Sequence, residues 1–347
     1  MELSDLRWQA LGMVGVSFQY IKNYLKNKYT IEVEEPNLEE FTRNLLNYTE
    51  IDIQNVLFEL EDMAFKKIMV YSLREKELEE VINQVFREQF ISINRIEGVI
   101  DNKQLNNIDT PLSPCYVNFG TKYITVKMAQ LRCYMGNDVD EDNVVISSPK
   151  EYYHCAKFVI DTNKGLVFLF YNDINNDEEE GNWKAKAVTE KKQAFYNLFN
   201  EGTQYTLLKF GFDNELFLYI KRYLDALKQS GAEGDGPVLV IETSDPREVK
   251  NSLRSSKVDG KHSIQRLDAI RYALEYERHT VRSIECTINS MWFNIKNYGE
   301  IITSGPYLSK EVVESVCEEV FPEYKVSERA IAEEYPVQNF RNALPNQ

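Results

Sequence analysis

The sequence predicts an α+β protein: an N-terminal helical domain followed by a larger mixed α/β body with antiparallel strands. Three observations carry this reading. Apolar residues recur at three- and four-residue spacing through residues 4–90, as in Ile53, Val56, Leu57, Leu60, Ala64, Ile68 and again in Leu78, Val81, Ile82, Val85. From residue 90 the pattern becomes short β-rich runs separated by clusters of Asn, Asp, Gly and Pro. From Trp183 onward helical and strand patterns alternate. These changes divide the 347 residues into a helical domain 1–90, a β-rich domain 91–182 with acidic loops, a mixed α/β domain 183–335 and a polar tail 336–347.

Taken in order, Ser4 can cap a helix reaching about Tyr20, and a β-like run follows at Tyr29 to Val33. Pro36 before Asn37 opens a helix from Leu38 to Asn47, and a second, amphipathic helix covers Asp52 to Ala64. Strands are expected at Tyr116 to Phe119, Tyr123 to Met128 and within Lys157 to Tyr171. The best hairpin joins Phe158–Asp161 to Leu166–Tyr171, with Gly165 supplying the positive φ that the turn demands. The acidic stretch Asn172 to Asn182 reads as a boundary or exposed insertion. Beyond it the pattern gives a helix to about Phe199, a strand Tyr205 to Phe212, a helix Asn214 to Lys228, a strand Val238 to Ile241 and helices near Pro246 and Ser263. Strands at Val281 to Ile288, Trp292 to Lys296 and Ile301 to Ile302 follow, then a helix from Lys310 to about Val320.

Composition bounds the function. Hydrophobic residues make up 43% and charged residues 27%, and 21 Tyr, 18 Phe and 3 Trp supply too much apolar area for a disordered chain. No run approaches the ~18–20 apolar residues that cross a bilayer, and the start lacks the basic and apolar regions of a signal peptide. With five scattered cysteines, the expectation is a reduced, cytosolic protein that does not engage membranes. The net charge of −15 opposes non-specific binding to nucleic acid. That average conceals a polarity. Arg247 to Arg282 holds nine Lys or Arg against five acids, whereas Asn137 to Glu180 holds three Lys against eleven acids. Abundant Asn, Lys, Ile and Tyr suggest an AT-rich genome such as that of a low-GC bacterium or its phage.

Residues 37–71 place a helix, a short turn, a second helix and the apolar pair Met69-Val70 in succession. The run Leu57-Phe-Glu-Leu60-Glu-Asp-Met-Ala64-Phe-Lys-Lys-Ile68 resembles the Leu-x-x-Leu-Glu-x-x-Gly-x-Ile rhythm of winged-helix modules, departing from it at Ala64 where Gly is usual. The resemblance covers about a tenth of the chain and implies a helix–turn–helix with a first wing strand. Its second helix carries Asp52, Glu59, Glu61 and Asp62, which phosphates repel, so such a module would bind protein rather than DNA. An ordinary helical hairpin has the same periodicity.

Other motifs fail on physical grounds. The glycines of Gly231 to Gly236 precede a strand, whereas a phosphate cradle follows a strand and opens a helix. Asp235, Glu242, Glu248 and Lys250 have the residue types of a metal-dependent nuclease, but Asp245-Pro-Arg-Glu248 reads as an N-cap, first-turn proline and capping box. Asp138 to Asp142 resembles the start of a calcium hand but has Asn143 at the turn glycine and Pro149 at the bidentate Glu. With no Cys-x-x-Cys and three histidines, no metal or cofactor is implied. His154 and Cys155 are adjacent on an expected strand and face opposite ways, so they form no dyad with each other.

What remains is the basic window. Arg254, Lys257, Lys261 and His262 fall in an expected donor-rich loop, and Arg266, Arg271 and Arg278 on the helix after it. These residues are the expected binding site for an anionic partner. The leading reading is a non-enzymatic interaction or regulatory protein, a subunit of a bacterial or phage complex. Its partner would be a protein, including a second copy through Asn137 to Glu180. The alternative is a nucleic-acid-binding or metal-dependent nuclease-like protein acting on DNA or RNA through residues 247–282.

Overall fold

A computed structural model describes residues 3–49, 52–103, 108, 112–139, 145–172, 190–195, 197–198, 208–209, 216, 218–222, 225, 240–243, 281–288, 291–303 and 310–320. The protein is α+β, with helices first and an antiparallel sheet after them. The helical unit comprises α1 (Leu3–Met13), α2 (Phe18–Tyr29), α3 (Leu38–Arg43) and α4 (Ile53–Met63). The expected single helix from Ser4 to Tyr20 is instead two, because Gly15 adopts φ 82° and Ser17 caps the second through the Tyr20 amide. Tyr29 to Val33 forms no strand. Thr30 ends α2 in the left-handed region, while Ile31 and Val33 turn inward to the helical core, where no strand lies beside them to pair. Asn37 and Asp52 cap α3 and α4 with their carboxamide and carboxylate oxygens, in keeping with the start signals in the sequence.

The sheet contains β1 (Lys67–Ser72), β2 (Ser113–Phe119), β3 (Tyr123–Val139), β4 (Val145–Asp161), β5 (Leu166–Tyr171), β6 (Leu208–Lys209), β7 (Val240–Thr243), β8 (Val281–Ile288), β9 (Met291–Lys296) and β10 (Glu300–Thr303). Their order is β2-β3-β4-β5-β1-β10-β9-β8-β7, with β6 beside the far end of β1. One sheet therefore takes strands from residues 67–72, 113–171 and 240–303. The β4–β5 hairpin forms as the sequence indicates, with Gly165 at φ 65° and the Asp161 side chain accepting from the amides of Asn163 and Lys164.

Both faces of the central strands are buried, so alternation sorts their side chains into two cores. Ile68 and Val70 of β1 join Leu166, Phe168 and Phe170 on one face, beneath Tyr219, Ile220 and the helix Lys310–Val320, which contributes Val316 and Val320. Met69 and Tyr71 join Val167 and Leu169 on the other, beneath Val81 of α5 (Glu75–Ile82), Phe90 of α6 (Gln84–Asn94) and Phe195. The helical unit keeps its own core of Trp8, Leu25, Phe41, Val56 and Leu60.

Candidate functional site

Three features of the described residues have the makings of a site: a buried ionic cluster, a projecting β-ribbon and a cleft. The cluster joins the helical unit to the sheet. α4 presents Glu61, 3% exposed, between Arg7 of α1 and Lys127 of β3, both 0% exposed. Arg7 donates Nε and Nη2 to the two Glu61 oxygens at 2.5 and 3.1 Å and Nη1 to Gln54 at 2.5 Å. Lys127 donates to Glu61 at 2.6 Å and lies 4.2 Å over the Phe58 ring. Next to it, Lys157 of β4 pairs with Asp62 at 2.7 Å and sits 4.6 Å over Phe170. Asn172 secures the corner between α4 and β1 by accepting from the Lys66 amide and donating to the Ala64 carbonyl.

The electrostatics suit structure rather than turnover. Burial opposes charge on Glu61, but Arg7 and Lys127 outweigh it and hold the carboxyl below its usual range. Burial likewise opposes charge on Lys127 and Arg7, and Glu61 more than compensates, raising both. Burial pushes the thiols of Cys115, Cys155 and Cys286 up to about 12, which leaves them protonated and weakly nucleophilic at neutral pH. His154 is held neutral by burial, reinforced by Lys191 and Arg132. Its neighbour Cys155 packs with Tyr153 and with Leu3 and Ala10 of α1. Among the described residues there is no group of three His, Cys, Asp or Glu placed to hold a metal ion.

α4 is the second helix of residues 37–71. Every one of its residues is buried or half-buried, against α1, α2 and the sheet. On its outer side Glu59 accepts from Tyr24 at 2.5 Å, Tyr29 at 2.7 Å and Lys28 at 2.7 Å. Burial raises the Glu59 pKa, yet Lys28 and the two hydroxyls outweigh it and bring it to about 2. Glu300 of β10 is similarly lowered: burial opposes charge, but Lys296, Tyr298 and Tyr171 prevail. All three carboxylates titrate lower folded than unfolded, so their stabilisation is complete above their unfolded pKa of about 4.3 and drains away below it. Urea midpoints should therefore fall in two stages, first below about pH 6.5, where His154 takes up a proton in the unfolded chain but not in the folded one, and then more steeply toward pH 2 as the carboxylates protonate, and Glu59→Gln should flatten part of the second fall. A midpoint unchanged down to pH 3 contradicts this assignment.

The ribbon is the second feature. β2 pairs with β3 no further than Ala129, and β5 pairs with β4 over Lys157 to Ile160. From Gln130↔His154 to Val139↔Val145, β3 and β4 pair only with each other among the described residues. Leu6 and Ala10 of α1 cover the root beside Leu131 and Tyr153, and Arg132 pairs with Glu190. The outer pairs, Cys133↔Glu151 to Val139↔Val145, run a further 20 Å or so. Near their end Val145 and Ile146 are 63% and 46% exposed.

The third feature is a cleft of about 90 Å³ where the helix Lys310–Val320 leans over the β4–β5 turn. Arg254, Lys257, Lys261, His262, Arg266, Arg271 and Arg278 lie outside the described residues, as do Asp235, Glu248 and Lys250. Periodicity shows Lys127 and Lys157 only as charged positions in β runs, so their partnership with α4 carried no local signal. No known family model matches the chain, and no curated protein is detectably similar to it.

Proposed function

We propose that the protein is a non-catalytic interaction subunit of a bacterial or phage complex that binds an anionic partner through the basic segment containing Arg254, Lys257, Lys261 and His262. The observation that carries the reading is the ribbon. Two strands that extend past their sheet neighbours have, among the described residues, no further strand on either edge, and such edges are a template for another chain. A large apolar pair at the ribbon's end adds area that a partner can cover. The charge polarity supports the same reading, because a +4 segment in a −15 chain directs encounter with an acidic surface. The state of the buried groups agrees: Glu61 is committed to Arg7 and Lys127, Lys157 to Asp62, and the thiols are protonated.

Binding to poly-glutamate and to a single-stranded oligonucleotide, each followed by fluorescence anisotropy across salt, tests the proposal. The expected result is salt-sensitive binding to the polycarboxylate that is lost when Arg254, Lys257 and Lys261 are all replaced by Glu. The thermal midpoint should stay level, since the sequence reads these positions as a loop and substitutions away from caps and buried groups cost about 0.5 kcal/mol or less each. Binding to the oligonucleotide alone at ~50 mM salt, or its cleavage with Mg²⁺, would favour a nucleic-acid role instead. Unaltered polycarboxylate binding by the triple variant removes the basic segment from the interface.

A further inference from the structure

The cleft under the helix Lys310–Val320 has an apolar floor and a charged mouth. Tyr123, Val159, Phe168 and Phe170 form the floor, all nearly inaccessible to solvent. Lys122, Asp161, Asn163, Lys164, Glu314 and Glu318 surround the mouth. Three of these charges are already engaged. Lys122 pairs with Glu314 at 3.2 Å, tying the start of β3 to the helix. Asp161 accepts from the amides of Asn163 and Lys164 and so belongs to the turn. That leaves one cation and one anion, Lys164 on the turn and Glu318 on the helix, which make no ion pair among the described residues.

A concave apolar surface with a few polar groups converging on its rim is the general form of a small-molecule site. Its charges define the ligand. An apolar group fills the floor, a carboxylate faces Lys164 and an ammonium faces Glu318. We infer that this cleft binds a small zwitterion with an apolar side chain, that is, a free amino acid of the aliphatic or aromatic class. The volume suits one side chain of that kind with its charged end at the mouth, where the cleft opens to solvent. A ligand so placed bridges the β4–β5 turn and the C-terminal helix, and by linkage it stabilises the helix against the sheet. The inference stands apart from the proposal for the basic segment and survives its failure, because the two share no residue.

Calorimetric titration of the full chain decides it, with L-phenylalanine and L-leucine as probes. Glycine lacks the apolar group, phenylacetate the ammonium and phenethylamine the carboxylate. The two amino acids should bind and raise the thermal midpoint, glycine should not bind, and each singly charged analogue should bind at least about tenfold more weakly than phenylalanine. Lys164→Met should weaken phenylalanine but leave phenethylamine unchanged, and Glu318→Gln should weaken phenylalanine but leave phenylacetate unchanged. Both substitutions sit at the solvent-facing rim and spare the fold. No heat and no shift in midpoint with either amino acid at about 10 mM overturns the inference, as does binding that neither substitution alters. Equal binding of phenylalanine and phenethylamine, undiminished in Lys164→Met, refutes the zwitterion and identifies an amine site.

Discussion

Replacing Glu61 by Gln should lower the unfolding free energy by about 3–5 kcal/mol, the usual cost of removing one partner from a buried charge cluster. Among the described residues Glu61 is the one carboxylate in ion-pair contact with Arg7 and Lys127, and all three side chains are almost wholly excluded from water. Without its charge two cations face each other in a medium that solvates them poorly, and the Phe58 ring under Lys127 and the Tyr153 ring under Arg7 offset them only in part. Removing the whole cluster should cost far less. In Arg7→Met/Glu61→Leu/Lys127→Met no charge is left stranded and the apolar replacements occupy similar volume, so most of the loss should be recovered. Urea denaturation of the two variants makes the comparison. A single variant as stable as wild type, or a triple variant less stable than the single, would contradict a mutually neutralising cluster.

Phe41→Ala should be about as damaging, at about 3–5 kcal/mol. Phe41 is fully buried at the centre of the helical unit, where its ring meets Trp8 edge-on at 5.3 Å, Tyr48 at 5.3 Å and Phe18 at 5.7 Å. Truncation leaves a cavity bordered by stiff rings that cannot close over it, and it forfeits three ring contacts at once. Phe41→Leu keeps most of the volume and should cost about 1–1.5 kcal/mol. Far-UV circular dichroism in denaturant gives the energies, and near-UV ellipticity reports the loss of the asymmetric setting of Trp8. An alanine variant within about 1 kcal/mol of wild type would place the stability of the unit elsewhere.

Much of the local structure was legible because its causes are local. Asn37 and Asp52 satisfy orphan amides of their own helices, so their positions mark helix starts in any tertiary setting. Gly165 and Asp161 close their turn with bonds spanning two or three residues. The strands Val281–Ile288 and Met291–Lys296 follow from alternation and a short connection. The break of the first helix at Gly15 and Ser17 is local too, whereas at Tyr29 to Val33 a distant partner decided the outcome. Tyr29 to Val33 has strand composition, but Ile31 and Val33 find their apolar neighbours in a helical core rather than in a sheet.

By itself the sequence determined the α+β class, the starts of α3 and α4, the β4–β5 hairpin and the strong separation of charge along the chain, because capping, periodicity and charge are properties of short windows. Tertiary structure alone decided which strands meet. β1 follows α4 directly yet pairs with strands about 100 and 230 residues later, and no local signal encodes such pairing, since any strand of matching pattern and length could take the place. It also decided the meaning of the charges. Glu59, Glu61 and Asp62 read together as an acidic helix surface, but the fold brings each a cation from a different element: Lys28 from α2, Arg7 and Lys127 from α1 and β3, and Lys157 from β4. Burial makes those pairings obligatory, and burial is a property of the assembled chain.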